Sequence, residues 1–83
     1  GITKTPLYNL TAKESFSKVL KDLRLSKNLS QEKLSEKAGL SMRTISLIEC
    51  EKVQPTISTI EAIAKALEVK MSDLIIATEK HVK

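Results

Sequence analysis

The sequence predicts an all-α fold, a compact bundle of five short helices. Three observations point to it. Apolar residues recur at three- and four-residue spacing in successive segments, which is the period of one face of a helix. Most of those segments open on a hydroxyl residue able to cap a helix. Glycine and proline number only two each, which suits short joints between helices and argues against sheets or disordered tails.

Taken in order, residues 1–10 carry no sustained period and are interrupted by Pro6, so they read as a flexible arm. Thr11 and Glu14 form a capping box, in which each side chain accepts from the other residue's backbone N–H. The first helix then runs to about Lys27, with Phe16, Val19, Leu20 and Leu23 facing inward; Asn28 suits a left-handed residue at its end. Ser30 caps the second helix, where Leu34 and Ala38 make an i, i+4 stripe. Gly39 ends that helix in a left-handed conformation, which glycine adopts without a Cβ penalty. Ser41 caps the third helix, whose Ile45 and Ile48 face inward. A loop over residues 51–55 closes on Pro55. Thr56 or Ser58 caps the fourth helix, the latter with Glu61 in a second capping box, and Ile57, Ile60, Ile63, Ala64 and Leu67 keep helical spacing. A short fifth helix runs from about Met71 to Ile76 with Leu74 turned inward.

Eighty-three residues make one domain. We place it at 11–78, with residues 1–10 as the arm and 79–83 as a tail. Phe16 and Tyr8 are the only aromatics, so leucine, isoleucine and valine must fill the core. No apolar run approaches the roughly 18–20 residues needed to cross a bilayer, and no signal peptide is visible. The lone Cys50 has no partner for an internal disulfide, which points to a reducing, cytoplasmic compartment; we read it as a surface or boundary residue rather than a redox sensor. The chain opens on Gly1 rather than methionine, so a flanking segment is left open. Catalysis is not expected: the single histidine, His81, lies in the tail, and there is no metal-spaced cluster, phosphate-cradling glycine loop or nucleophile–base pairing. No cofactor and no metal are implied.

Net charge is +4, and residues 1–30 carry all of it, with six basic and two acidic groups. Two readings of Lys13, Lys18 and Lys21 stand at this stage, attraction to phosphate or solvation of an outer helix face. The second and third helices sharpen the question. Two capped helices joined by a short glycine-containing turn, over residues 31–50, make a helix-turn-helix, the plan in which the second helix enters a DNA major groove.

Leu20…Leu23-Arg24, Leu29-Ser30-Gln31-Glu32-Lys33-Leu34, Ala38-Gly39-Leu40-Ser41, Ile45-Ser46-Leu47-Ile48-Glu49, Pro55-Thr56 and Ile63-Ala64-Lys65-Ala66-Leu67 carry a further signal. With these residues the stretch from about Val19 to Ile75 resembles the Cro/lambda-repressor-like helix-turn-helix family, also called the Xre family. The resemblance implies a lambda-repressor-like DNA-binding domain and a transcriptional regulator that binds palindromic operator DNA as a homodimer. Phage-type repressor, restriction-modification controller protein and antitoxin are the roles it allows, acting at the nucleoid, with a toxin or other regulator as a further protein partner. It also implies an ion pair between Arg24 and Glu49 that ties the first helix to the end of the third. A module of the same fold that docks a protein partner through its third and fifth helices is the alternative.

Gln31 opens the second helix, where free N–H groups and the helix dipole favour an anion; in the family the matching glutamine donates to a DNA phosphate. Thr44 adds a hydroxyl contact to the same backbone, and Lys27, Lys52 and Gln54 flank the motif as further phosphate partners. Base reading falls to the outward face of the third helix, Met42, Arg43, Ser46 and Leu47. Arg43 is the leading candidate because its fork can bond guanine O6 and N7 together, worth about 1–3 kcal/mol of discrimination; a surface arginine is the other reading. Met42 and Leu47 either pack on thymine methyls or are ordinary exposed hydrophobes. Met71, Ile75 and Ile76 exceed what anchoring a short helix requires, so they form a dimer interface or cap the base of the core.

Three positions depart from the family pattern. Cys50-Glu51 replaces Asn-Gly, Glu68 replaces a glycine after the fourth helix, and Lys70 replaces a Ser or Thr cap. Each change costs about 0.5–1 kcal/mol.

Overall fold

Among the described residues, four of the five helices begin at a hydroxyl that accepts a backbone N–H from the first turn. The computed structural model describes residues 10–82, so residues 1–9 of the expected arm and Lys83 of the tail lie outside the described residues. The helices are α1 (Ala12–Ser26), α2 (Gln31–Ala38), α3 (Met42–Glu49), α4 (Ile57–Leu67) and α5 (Met71–Glu79). Thr11 and Glu14 close the capping box of α1, with contacts of 2.9 and 3.2 Å. Ser30 accepts from Lys33 N–H and Ser41 from Thr44 N–H. At α4 the cap is Thr56 rather than Ser58: its Oγ1 accepts from Thr59 N–H at 3.2 Å and meets Thr59 Oγ1 at 3.0 Å, so no box with Glu61 forms. Lys70 opens α5 without a side-chain cap.

The joints follow from backbone sterics. Asn28, Gly39, Glu51 and Glu68 all take positive φ, between 58° and 70°. Gly39 does so at no steric cost. Glu51 and Glu68 sit where the resembling proteins often carry glycine, and a Cβ in this region is strained by roughly 1 kcal/mol.

The core is aliphatic. Leu20, Leu34, Ile45, Ile48, Ile63, Leu67 and Leu74 are fully buried, with Phe16 and Val19 beside them. Each contributes about 1.5–3 kcal/mol by leaving water. α1 packs against α3 and α5, α2 against α3 and α4, and α4 against α5.

Two buried serines tie α1 to its neighbours. Ser15 Oγ donates to the Thr78 carbonyl on α5, and Ser17 Oγ lies against the Ile48 carbonyl on α3, both at 2.6 Å. α5 runs to Glu79, three residues beyond the end expected at Ile76, because this contact holds its last turn and Thr78 Oγ1 donates back to Leu74 O. Leu10 N–H then donates to His81 O at 3.1 Å, and Leu10 pairs with Val82 in a single parallel bridge, joining the two ends of the described chain.

Candidate nucleic-acid interface

The sequence places α3 across the bundle with one face in and one face out. Ile45 and Ile48 are buried, while Met42 and Arg43 are exposed and Ser46 and Leu47 half-buried. Positions 42, 43, 46 and 47 share one side of a helix by its period. The side chains predicted to read bases thus sit together on the outward face.

Gln31, Arg24 and Glu49 come from three different helices and meet in one network. Glu49 accepts from Arg24 Nε at 2.7 Å, from Arg24 Nη2 at 3.0 Å and from Gln31 Nε2 at 3.0 Å. Arg24 Nη1 donates to the Leu29 carbonyl, in the turn before α2, at 2.8 Å. The Arg24 and Glu49 side chains are only 9% and 4% exposed. A buried charge is tolerated only when it is paired and hydrogen-bonded, and this geometry supplies both. The hydrogen bond from Glu49 raises the Arg24 pKa above its ordinary value; burial opposes the rise and the Glu49 charge adds to it. A raised pKa on a base means that this contribution is complete at every pH below the ordinary arginine range. It fades only as pH climbs through the folded-state value. Arg24 therefore presents little surface to a phosphate. Its action passes through Glu49.

Gln31 is half-buried at the first position of α2. One of its amide protons is committed to Glu49, and an amide nitrogen carries two, so one donor remains for an anion at the helix start. Thr44 is half-buried and its hydroxyl meets the Ser41 hydroxyl at 2.8 Å, inside the cap of α3. Lys27, Lys52 and Gln54 are exposed. Lys27 lies apart from Gln54. Lys27 caps the C-terminal end of α1 and borders a groove with Lys37 and Glu68, whereas Gln54 lies near Ala12 and Lys13 at the other end of α1. The 15 residues of α1 put these ends roughly 20 Å apart.

The predicted dimer residues divide. Met71 is half-buried against the core, whereas Ile75 and Ile76 are 40% and 52% exposed. Sequence reasoning missed two further exposed apolar side chains: Ile57 is 70% exposed and Val53 38%. Ile57 fits the α4 period and so reads as core, but it is the first residue of its helix. A shallow cleft of about 190 Å³ beside Ile75 is also lined by Phe16, Pro55 and Ile60. Ser15 and Ser17 were also missed, because serine carries no apolar period to mark it as buried.

A capped helix, a left-handed glycine joint and a second capped helix with an exposed outer face define a helix-turn-helix domain. The chain belongs to the Cro/C1-type helix-turn-helix family: the family model described as "Helix-turn-helix" matches residues 20–74. It is 38% identical over 56 residues to the immunity repressor protein of Bacillus phage phi105, covering 68% of this chain and 39% of that protein. It is 36% identical over 63 residues to the HTH-type transcriptional regulator PuuR of Escherichia coli, covering 76% of this chain and 34% of that one. The chain thus spans little more than a third of the length of these two relatives. Among solved structures, it is similar to the restriction-modification controller protein C.Esp1396I, seen as a tetramer with its natural 35 base-pair operator. The TM-score is 0.79 at 34% identity, over 84% of this chain and 92% of that one. The named relatives are repressors and regulators rather than enzymes, in line with the expectation of no catalysis.

Proposed function

We propose that this chain is a sequence-specific DNA-binding transcriptional regulator that occupies two-fold symmetric operator DNA as a homodimer at the nucleoid. One observation carries the reading: the Gln31–Glu49–Arg24 network locks the start of α2 to the end of α3 while leaving the 42–47 face open. A phosphate anchor and a reading head held rigidly together are what docking of a recognition helix requires. Gln31, Lys27, Lys52 and Gln54 take the phosphates. Thr44 adds a hydroxyl to the same strand. Arg43 reads guanine, Ser46 supplies a polar contact, and Met42 and Leu47 pack on thymine methyls.

Two copies pair through Ile75, Ile76 and Ile57, with Met71 behind them, which buries the apolar surface that a monomer leaves in water. The likeness to C.Esp1396I in fold and sequence supports a controller-type regulator.

Salt tests the reading. Two lysine–phosphate contacts per protomer, Lys27 and Lys52, four per dimer, make the affinity for duplex DNA fall about a hundredfold between roughly 50 and 200 mM salt. A protein whose binding to duplex DNA is absent, or flat across that range, uses this face for an apolar protein partner instead.

A further inference from the structure

We infer that Ser17 is a positioning residue for DNA recognition, its hydroxyl setting the orientation of α3 against α1 through the Ile48 carbonyl. The inference rests on the DNA-binding reading. Ser17 is 3% exposed, and its Oγ lies 2.6 Å from Ile48 O and 2.9 Å from Lys13 O. A serine within a helix ordinarily gives its one proton to the carbonyl four residues back, here Lys13. The shorter of the two contacts is the one that leaves the helix.

Ile48 lies in the last turn of α3, where carbonyls lose their helical partners. Its oxygen accepts Glu51 N–H at 3.0 Å from the following turn, and the Ser17 hydroxyl fills its second lone pair. This tether is independent of the ion pair. Arg24 holds the side chain of Glu49, whereas Ser17 holds the backbone of the residue before it. Ser17 and Arg24 are seven residues apart on one face of α1, about 10 Å along its axis. Holding the end of α3 from two such points fixes its direction as well as its place. Phosphate contacts tolerate a small rotation of that helix; bonds to base edges do not.

Ser15 provides a matched comparison. It is equally buried and makes an equally short bond, but it points about 200° away around α1 and reaches α5 rather than α3. Binding is measured on a duplex carrying one copy of the sequence that the wild-type protein selects from a random pool, and on a scrambled duplex of the same composition. Thermal melts accompany both. Ser17→Ala lowers the ratio of the two affinities about five- to tenfold and leaves scrambled binding within about twofold. Ser17→Thr, which keeps the hydroxyl, recovers the wild-type ratio. Ser15→Ala loses a comparable amount of thermal stability with the ratio unchanged. An unchanged ratio for Ser17→Ala overturns the inference whatever its melting temperature, and so does an equal drop for Ser15→Ala, which signals general loosening. If Ser17→Ala does not fold, Ser17→Cys, whose thiol donates only weakly, takes its place and the same ratio decides. A wild-type protein that selects no sequence overturns the DNA-binding reading and this inference together, before any variant is made.

Discussion

The Gln31 amide donates to the Glu49 carboxylate at 3.0 Å, so the first residue of α2 and the last residue of α3 are joined across 18 positions of sequence. Glu49 also carries the Arg24 fork. One carboxylate therefore gathers three helices at the edge of the recognition face.

Glu49→Ala removes the acceptor from a guanidinium that cannot lose its charge. Leaving that charge buried and unpaired costs about 3 kcal/mol, which for a domain of this size lowers the melting temperature by about 15 °C. DNA affinity falls with it. A thermal melt followed by circular dichroism, with a binding titration well below the transition, checks both; wild-type values in each would remove the network from the account.

Gln31→Ala and Arg43→Ala separate anchoring from reading. The first weakens binding to all sequences by a similar factor, about two- to tenfold, because a phosphate contact carries no sequence information. The second costs about 1–3 kcal/mol at a single guanine position and relaxes the preference there. Arg43 is exposed, so its loss leaves stability within about 0.5 kcal/mol. Competition titrations against single-base variants of a selected site distinguish the two patterns.

Ile75→Asp with Ile76→Asp yields a folded monomer in sedimentation. Ile57→Asp alone weakens pairing while leaving the melt of the protomer little changed, since the side chain is 70% exposed. A dimer of wild-type strength in both variants would place the interface elsewhere.

Glu68→Gly relieves a left-handed backbone at φ 60°, and Lys70→Ser supplies the missing cap of α5. Together they stabilise the fold by about 1–2 kcal/mol. Neither position belongs to the proposed reading face, so DNA affinity stays at the wild-type value. Denaturant midpoints measure the gain.

Much of the fold was legible in the sequence because local signals agreed with one another. Thr11, Ser30 and Ser41 mark helix starts by hydroxyl spacing, and Gly39 marks a stop by its freedom at φ 70°. The α4 cap stayed open between two hydroxyls because a Ser58–Glu61 box has the right spacing. The structure starts the helix at Ile57, with Thr59 beside the Thr56 hydroxyl. Periodicity gave the face of Ile57 but not its depth, since the first residue of a helix can overhang the elements it packs against. The extension of α5 to Glu79 and the burial of Ser15 and Ser17 depend on hydrogen bonds between distant residues, and no local pattern encodes those. In the recognition surface, spacing alone aligned residues 42, 43, 46 and 47. The Arg24–Glu49 pairing came from family resemblance, and the bond from Gln31 to Glu49 was invisible until the helices were in place.

The central claim is that two copies of the 42–47 face read two halves of one duplex. Selection of bound sequences from random DNA, carried out at low and high salt, tests it most directly. The account predicts one enriched motif with two-fold symmetry, its halves about one helical turn apart, and markedly weaker recovery at high salt. Recovery of no motif at either salt would contradict it.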